Sequence, residues 1–186
     1  MSTSPKIGVL ALQGNFREHA AMLRRLGADV TEVRKAEQLE GLDGLVIPGG
    51  ESTTFMRLMR LYGLDEALRS FTGPVFGTCA GMIVLAMEVL GGETLFGLMD
   101  ITVRRNAYGR QVDSFEADVD VRGVDHAVRG VFIRAPWIER VGADVEVLAT
   151  FEDRPVVLEQ GSLVVASFHP ELVGETGLHE YLLRKV

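Results

Sequence analysis

The sequence predicts an α/β fold in which helices cover a mixed, mostly parallel central sheet. In the first half of the chain, apolar strand-like runs alternate with amphipathic helical segments through short connections, an order typical of parallel sheets. Residues 114–121 instead alternate strictly between apolar and polar side chains, which is typical of a half-exposed antiparallel strand. The chain has 186 residues without an internal repeat or a linker, so we expect a single domain, residues 1–186.

The elements of the first half follow from their apolar patterns and their end signals. Residues 6–12 form a continuous apolar run, which predicts a strand buried on both faces. Asn15 predicts the N-cap of the next helix, Glu18 completes a variant of the capping box, and Gly27 ends the helix. We predict further strands at residues 29–34, 44–48 and 75–78, and helices at residues 55–62, 64–71 and 82–90.

The second half predicts additional strands. Phe115, Ala117 and Val119 share one face of the alternating segment, because successive side chains of a strand point to opposite faces. A final helix is predicted to begin at about Gly174. We place the other strands of this half at residues 131–134, 145–150, 155–159 and 163–168.

Composition limits the classes of partner. The formal net charge of -7 argues against a nucleic-acid partner, because such proteins present a basic surface to phosphates. The single cysteine excludes an internal disulfide, and no spacing of His, Cys, Asp and Glu resembles a set of metal ligands. No apolar run approaches the roughly 20 residues that cross a bilayer, and residues 7–12 are too short for a signal peptide. We therefore expect a soluble cytoplasmic protein with no metal, no cofactor and no membrane partner.

A candidate nucleophile, Cys79, stands in the sequence Gly-Thr-Cys-Ala-Gly at residues 77–81, between a predicted strand and a predicted helix. This is the pattern of a nucleophile elbow, where glycines on both sides avoid a collision at a tight, strained turn. The turn exposes the sulfur at a helix N-terminus, which favours the thiolate. The backbone N–H of Ala80 would form one half of an oxyanion hole. The structural alternative is a small buried cysteine, because cysteine is among the most buried residue types.

A candidate base, His169, directly follows the last apolar strand run, within Phe-His-Pro-Glu at residues 168–171. In α/β sheets, catalytic and ligand-binding residues commonly follow the carboxyl ends of strands. Glu171 can accept a hydrogen bond from the imidazole and select the tautomer whose other nitrogen faces the thiol. Cysteine, histidine and carboxylate form a complete set for acyl transfer, whereas the alternative is a histidine satisfied by a backbone carbonyl. No comparable support exists for the other histidines, His19, His126 and His179.

A glycine-rich loop, Pro-Gly-Gly-Glu-Ser-Thr-Thr at residues 48–54, joins a predicted strand to a predicted helix. Paired glycines let backbone amides approach a ligand, and the hydroxyls that follow can cap the helix. Gly50 would supply the second oxyanion donor. A phosphate cradle is an alternative, although no lysine follows as in a P-loop, and an ordinary capped turn is another.

Further segments join these motifs, and the whole set covers nearly the entire chain. The segments lie at residues 8–14, 17–19, 45–54, 76–82, 105–115, 130–136 and 167–172. Together they resemble the class I, triad-type glutamine amidotransferases, and in particular the glutaminase subunits of pyridoxal 5'-phosphate synthase. The elbow and the His-Pro-Glu sequence are shared with many glutaminases. The Arg-Asn and Ile-Arg sequences at residues 105–106 and 133–134 are the specific part.

The resemblance implies a flavodoxin-like, three-layer α/β/α domain that hydrolyses L-glutamine to L-glutamate and ammonia. It implies that Cys79 attacks the carboxamide, His169 shuttles the proton and Glu171 orients His169. An arginine held in a pocket suits the free α-carboxylate of glutamine, although a surface salt bridge is the alternative for either arginine. The glutamine site that the resemblance implies consists of Gly49, Gly50, Glu51, Arg105, Ile133 and Arg134.

The resemblance also implies a partner. In the family, ammonia passes to a separate synthase subunit, which builds pyridoxal 5'-phosphate from a pentose phosphate and a triose phosphate. The glutaminase is implied to be weak until this synthase subunit docks, with the loop at residues 12–15 near both the oxyanion site and the docking surface.

Three alternatives stay open at this stage. The first, a glutaminase of an imidazole or purine pathway, is disfavoured by the Arg-Asn sequence. The second, a peptidase- or chaperone-like α/β protein with a single elbow cysteine, is disfavoured by the His-Pro-Glu sequence. The third, a non-catalytic subunit on a glutaminase scaffold, is disfavoured by the complete triad.

Overall fold

The computed structural model describes residues 4–105 and 114–186. The first strands are β1 (Lys6–Leu10), β2 (Asp29–Val33), β3 (Gly44–Ile47), β4 (Val75–Thr78), β5 (Ala86–Leu90) and β6 (Met99–Arg104). The later strands are β7 (Phe115–Val119), β8 (Val128–Phe132), β9 (Trp137–Val141), β10 (Glu146–Phe151), β11 (Arg154–Gln160) and β12 (Leu163–Ala166). The helices are α1 (Phe16–Arg25), α2 (Ser52–Leu61), α3 (Leu64–Arg69), α4 (Ala80–Leu85) and α5 (Gly177–Leu183), with 3₁₀ turns at Ala36–Leu39 and Glu171–Val173.

The central sheet has seven strands in the order β10-β11-β12-β4-β3-β1-β2. The strands from β12 to β2 pair in parallel, whereas β10 and β11 extend the sheet in antiparallel pairing. All residues of β3 and β4 are buried, as expected for strands covered on both faces. The prediction of a mixed, mostly parallel sheet is confirmed.

Two hydrophobic clusters cover the two faces of this sheet. On one face, Leu23 of α1 and Leu182 of α5 share a cluster with Val9 and with the β7–β8 hairpin. On the other face, α2, α3 and α4 and the small sheet β5-β6-β9 form the second cluster, which includes the buried Phe55 of α2 and Ile47 of β3. Alternate residues of the central strands point into the two clusters, so that helices and strands cover both faces of the sheet in the predicted flavodoxin-like, three-layer arrangement.

The helix predicted at residues 82–90 is wrong in its extent. Helix α4 ends at Leu85, and the chain continues directly as β5, which pairs in parallel with β6. Residues 82–90 are nearly continuously apolar, so periodicity could not separate a buried helix from a buried strand. Strands β6 and β9 were not predicted, and β5 forms only because β6 provides its hydrogen-bonding partner.

The ends of two helices also differ from the prediction. Asn15 is the N-cap residue of α1, as predicted, but its side chain makes no capping hydrogen bond, so the capping box is wrong. Helix α5 begins at Gly177, because Gly174 (φ 70°) instead terminates the preceding 3₁₀ turn. None of the helices within the described residues combines the length and the apolar character of a membrane span.

Four neighbouring parallel strands, β12, β4, β3 and β1, end at the same edge of the sheet. In an open α/β sheet, ligands bind outside the carboxyl ends of the strands. The segments that follow these four strands contain the cysteine, the histidine and both glycine-containing loops of the sequence analysis. The fold therefore brings the predicted motifs to one place.

Candidate active site

Cys79 occupies the tight turn between β4 and α4. Its backbone angles, φ 48° and ψ −102°, lie outside the regions that ordinary residues adopt. A Cβ atom on Gly81 would lie 2.1 Å from the Ile47 carbonyl oxygen, and one on Gly77 would lie 2.8 Å from the carbonyl carbon of Gly81. Both glycines are therefore required by close packing, and the strained turn predicted for the elbow is present.

His169 is fixed through its backbone and through its ring. Its backbone N–H donates to the Val131 carbonyl at 2.9 Å, and the Val131 N–H donates back at 3.2 Å, which ties the histidine to β8. Its Nδ1 lies 2.7 Å from Glu171 Oε1. An ionised carboxylate only accepts hydrogen bonds, so Nδ1 carries the hydrogen and Nε2 is left for Cys79.

The charges of Cys79 and Glu171 determine the protonation of His169. Burial of the ring lowers the pKa of His169, but the hydrogen bonds and charges of Cys79 and Glu171 outweigh burial and raise it to about 10. At neutral pH the imidazole is therefore held as imidazolium. An imidazolium beside the sulfur is the arrangement of other cysteine nucleophiles that are paired with histidine.

Glu171 is buried behind His169 and receives support from α1. Its Oε1 lies 3.2 Å from Asn15 Nδ2 and 3.4 Å from His19 Nε2, in addition to the His169 contact. Burial raises the pKa of Glu171, but the charge of His19 and the hydrogen bond with His169 outweigh burial and hold it well below its usual range. The carboxylate therefore remains ionised.

A buried pair of histidines lies behind this carboxylate. His19 Nδ1 is 2.8 Å from His179 Nε2, and His19 Nε2 is 3.1 Å from Thr78 Oγ1. Burial and the charge of His19 lower the pKa of His179 to about 3, so its ring is neutral at physiological pH. No role was predicted for either histidine from the sequence. The only local signal was that Asn15 and His19 are four residues apart, on one face of a helix.

The glycine-rich loop packs against His169 and against the loop at residues 12–15. A Cβ atom on Gly49 would lie 2.2 Å from His169 Cε1 and 3.2 Å from Cys79 Cβ. Gly50 has a φ of 149°, and a Cβ there would lie 2.1 Å from Gln13 Oε1. The same Gln13 oxygen accepts a hydrogen bond from the Glu51 backbone N–H at 3.0 Å.

Glu51 caps helix α2, a role that was predicted for the hydroxyls that follow it. Its carboxylate accepts hydrogen bonds from the backbone N–H groups of Thr53 at 3.0 Å and Thr54 at 2.6 Å. The hydrogen bond with the Thr54 side chain is the largest cause that lowers the pKa of Glu51, and together with the backbone hydrogen bonds of Thr54 and Thr53 it outweighs burial and brings the pKa to about 2. The carboxylate, rather than a hydroxyl, is the capping group because it can accept hydrogen bonds from two N–H groups at once.

A cavity of about 540 Å³ opens above these groups, within the usual size range of small-molecule sites. Arg105 Nη2 lies 3.5 Å from Glu51 Oε1 at its wall. Arg134, which also lines the cavity, has a positive φ of 45°. The predicted residues that line the cavity are Cys79, His169, Gly50, Glu51, Arg105, Ile133 and Arg134, and the lining residues that were not predicted are Asn15, Ser52 and Ile83.

The other predicted site residues lie next to the cavity. Gly49 contacts the His169 ring, Ala80 follows Cys79 at the start of α4, and Glu171 lies behind His169. Residues 106–113 of the Arg-Asn segment lie outside the described residues. Within residues 4–105 and 114–186, no cluster of His, Cys, Asp and Glu is arranged to hold a metal ion.

The fold and the cavity at the carboxyl edge of the sheet match those of a known class of protein, the class I glutamine amidotransferases. A solved structure described as a glutamine amidotransferase is 50% identical, with a TM-score of 0.90 over 96% of this chain and 97% of that chain. A protein of Parafrankia sp. (strain EAN1pec), named pyridoxal 5'-phosphate synthase subunit PdxT, is 56% identical over 99% of this chain and 94% of its own length. A protein of Thermosipho africanus with the same name is 54% identical over 97% of this chain and 98% of its own length.

The sequence model of the SNO glutamine amidotransferase family matches residues 9–186. The chain therefore belongs to the SNO glutamine amidotransferase family.

Proposed function

We propose that the chain is the glutaminase subunit of a pyridoxal 5'-phosphate synthase, in which Cys79, His169 and Glu171 hydrolyse L-glutamine to L-glutamate and ammonia. The observation that carries the proposal is the contact of His169 with Glu171 at 2.7 Å, beside an elbow cysteine that lines the same cavity. A nucleophile, a base and a group that orients the base are the parts that covalent acyl transfer requires.

The reaction proceeds in two steps. The Cys79 thiolate attacks the carboxamide carbon, and the backbone N–H groups of Gly50 and Ala80 stabilise the oxyanion. The C–N bond then breaks, and the leaving nitrogen takes a proton from the His169 imidazolium to give ammonia and a γ-glutamyl thioester. In the second step His169 takes a proton from water, whose oxygen attacks the thioester carbon. Breakage of the C–S bond releases glutamate and restores the thiolate.

Substrate recognition is proposed for the charged wall of the cavity. The Glu51 carboxylate, with its low pKa, is ionised and suits the α-ammonium group of glutamine. Arg105 and Arg134 present guanidinium groups to the α-carboxylate, and Ile133 contacts the aliphatic part. Gly49 leaves room for His169 beside the scissile bond.

The acceptor of the ammonia is proposed to be a separate synthase subunit that makes pyridoxal 5'-phosphate. Relatives at 56% and 54% identity carry the name of a subunit of that synthase, which favours this acceptor over an imidazole or purine pathway. We propose that residues 1–186 act as one glutamine amidotransferase domain, supported by the match of the family over residues 9–186. Docking of the synthase near residues 12–15 would raise the glutaminase rate.

Labelled ammonia tests this proposal. We would supply [amide-¹⁵N]glutamine to the chain and its cognate synthase, with the two sugar phosphates and an excess of unlabelled ammonium. The proposal predicts glutamate formation, and pyridoxal 5'-phosphate that carries more ¹⁵N than the free ammonium pool. Equal labelling of product and pool would refute direct transfer, and absence of glutamate would refute the glutaminase itself.

A further inference from the structure

We propose that Asn15 and His19 are positioning residues that hold the Glu171 carboxylate and, through it, the His169 ring in the orientation that serves Cys79. This inference rests on the proposed function, because the orientation of Glu171 affects catalysis only if Cys79 and His169 are the reacting pair. The two residues are one helical turn apart on the face of α1 that packs against the turn Glu171–Val173.

A single oxygen of Glu171 makes all of its polar contacts with these groups. Oε1 meets His169 Nδ1 at 2.7 Å, Asn15 Nδ2 at 3.2 Å and His19 Nε2 at 3.4 Å. Oε2 is buried and has no hydrogen-bond partner among residues 4–105 and 114–186. The donors from α1 therefore decide which carboxylate oxygen faces His169, because rotation of the carboxylate would bring the unpartnered oxygen into its place.

Asn15 uses its side chain for this contact rather than for its own helix. It is the N-cap residue of α1, yet its side chain makes no capping hydrogen bond. Its Nδ2 also lies 3.3 Å from His169 Nδ1. Both of these nitrogens carry hydrogens, so the Asn15 amide can donate only to Glu171. An N-cap asparagine ordinarily contributes to helix stability, and here that contribution is replaced by a bond to the buried carboxylate.

His19 is completely buried, and its contacts fix both of its ring nitrogens. Its Nε2 faces Glu171 Oε1 and Thr78 Oγ1, and both atoms can accept its hydrogen. Its Nδ1 faces His179 of α5, and Phe76 of β4 packs edge-on against its ring. Thr78 Oγ1 in turn accepts the backbone N–H of Gly49 at 3.1 Å. The ring is therefore held from β4, from α5 and from the turn that contains Glu171.

The test compares variants that remove a donor with variants that keep one. Asn15→Ala removes the amide, His19→Leu removes the imidazole, and His19→Gln retains an N–H donor in nearly the same place. Glu18→Gln, exposed on the same turn of α1, is the matched control. Because Asn15 is only half-buried, its variant tests the proposal even if His19→Leu does not fold, and thermal unfolding of each variant identifies the folded ones.

Two measurements on these variants decide the question. In steady-state glutamine hydrolysis with the cognate synthase, we expect kcat to fall about tenfold for Asn15→Ala, with KM nearly unchanged. The reason is that the lost hydrogen bond is one to the charged Glu171 of the catalytic set, and not one to the substrate. In the isolated chain, Cys79 is the only cysteine, so alkylation by iodoacetamide reports this residue alone. We expect the pH midpoint of alkylation to shift upward in Asn15→Ala and His19→Leu, and to return toward the parent value in His19→Gln.

Folded Asn15→Ala and His19→Leu variants with the parent kcat and the parent alkylation midpoint would overturn the proposal. A shift of the same size in Glu18→Gln would also overturn it, because the effect would then belong to α1 in general. If the parent chain hydrolyses no glutamine, the proposed function fails, and the alkylation midpoints alone then decide whether α1 positions His169 against Cys79.

Discussion

At the scale of single residues, the site is a set of buried charges that stabilise one another. Cys79, His169 and Glu171 could be predicted from the sequence, because each stands in a short motif directly after an apolar strand. Asn15, His19 and His179 could not, because their contacts join α1 to the turn at Glu171 and to α5, both more than 150 residues later in the chain. No local pattern encodes a contact that depends on how two helices pack on one sheet.

Replacement of Glu171 by glutamine tests the electrostatics of this set. The hydrogen bond and charge of Glu171 are among the causes that raise the pKa of His169 to about 10, against the lowering effect of burial. In Glu171→Gln we therefore expect the alkaline limb of the kcat/KM profile to move to lower pH, and kcat to fall by about 100-fold or more. An alkaline limb at the parent pH would show that Glu171 does not act on His169.

The low pKa of Glu171 also predicts how the free energy of unfolding depends on pH. The pKa of Glu171 in the folded chain is held well below its ordinary value of 4.5, so its contribution to stability is present above pH 4.5 and is lost as pH falls. We expect the free energy of unfolding of the parent to fall more steeply below about pH 4.5 than that of Glu171→Gln. Urea unfolding at a series of acidic pH values measures both slopes, and parallel slopes would contradict the assignment.

Arg105 provides a test of substrate recognition. If its guanidinium binds the α-carboxylate of glutamine, Arg105→Gln raises KM by about 10- to 100-fold and changes kcat little, because this binding is the same in ground state and transition state. The matched control is Arg60→Gln on α2, which removes an exposed ion pair between Arg60 and Glu93. An unchanged KM in Arg105→Gln would leave the arginine as a partner of Glu51 alone.

At the scale of elements, the junction of β4 and α4 determines where the nucleophile stands. The apolar strand and the glycine spacing predicted this junction correctly, because both are local features of the sequence. The length of α4 was predicted wrongly, since the change to β5 after Leu85 depends on pairing with β6, more than ten residues later. Strand pairing between distant segments is the information that a single apolar run does not contain.

Gly81→Ala tests the packing at this junction. The added methyl group would lie 2.1 Å from the Ile47 carbonyl oxygen, so backbone must shift to accept it. We expect a loss of about 3 kcal/mol in the free energy of unfolding, measured with denaturant, together with a displaced Cys79. Gly91→Ala, at a glycine with open space around it and a φ of 80°, should cost only about 1 kcal/mol. Equal losses would mean that the backbone around Gly81 relaxes to accept the methyl group, so that close packing does not require glycine at position 81.

At the scale of the whole molecule, the order of the strands creates the site. The carboxyl ends of β12, β4, β3 and β1 are adjacent, and the segments after them carry His169, Cys79, the glycine-rich loop and Asn15. The sequence predicted the parallel class of the sheet from the alternation of elements, but not the small sheet β5-β6-β9 that completes one layer. The pair of backbone hydrogen bonds between His169 and Val131 links this edge to the β7–β8 hairpin, which precedes Ile133 and Arg134.

The most direct test of the central claim is glutamate release from L-glutamine by the purified chain, alone and with its cognate synthase, beside the Cys79→Ala variant. We predict a rate that rises when the synthase is added and that vanishes in Cys79→Ala, while the variant still binds the synthase. Glutamate release that survives in Cys79→Ala, or that is absent from both parent mixtures, would contradict the assignment of Cys79 as the nucleophile of a glutaminase.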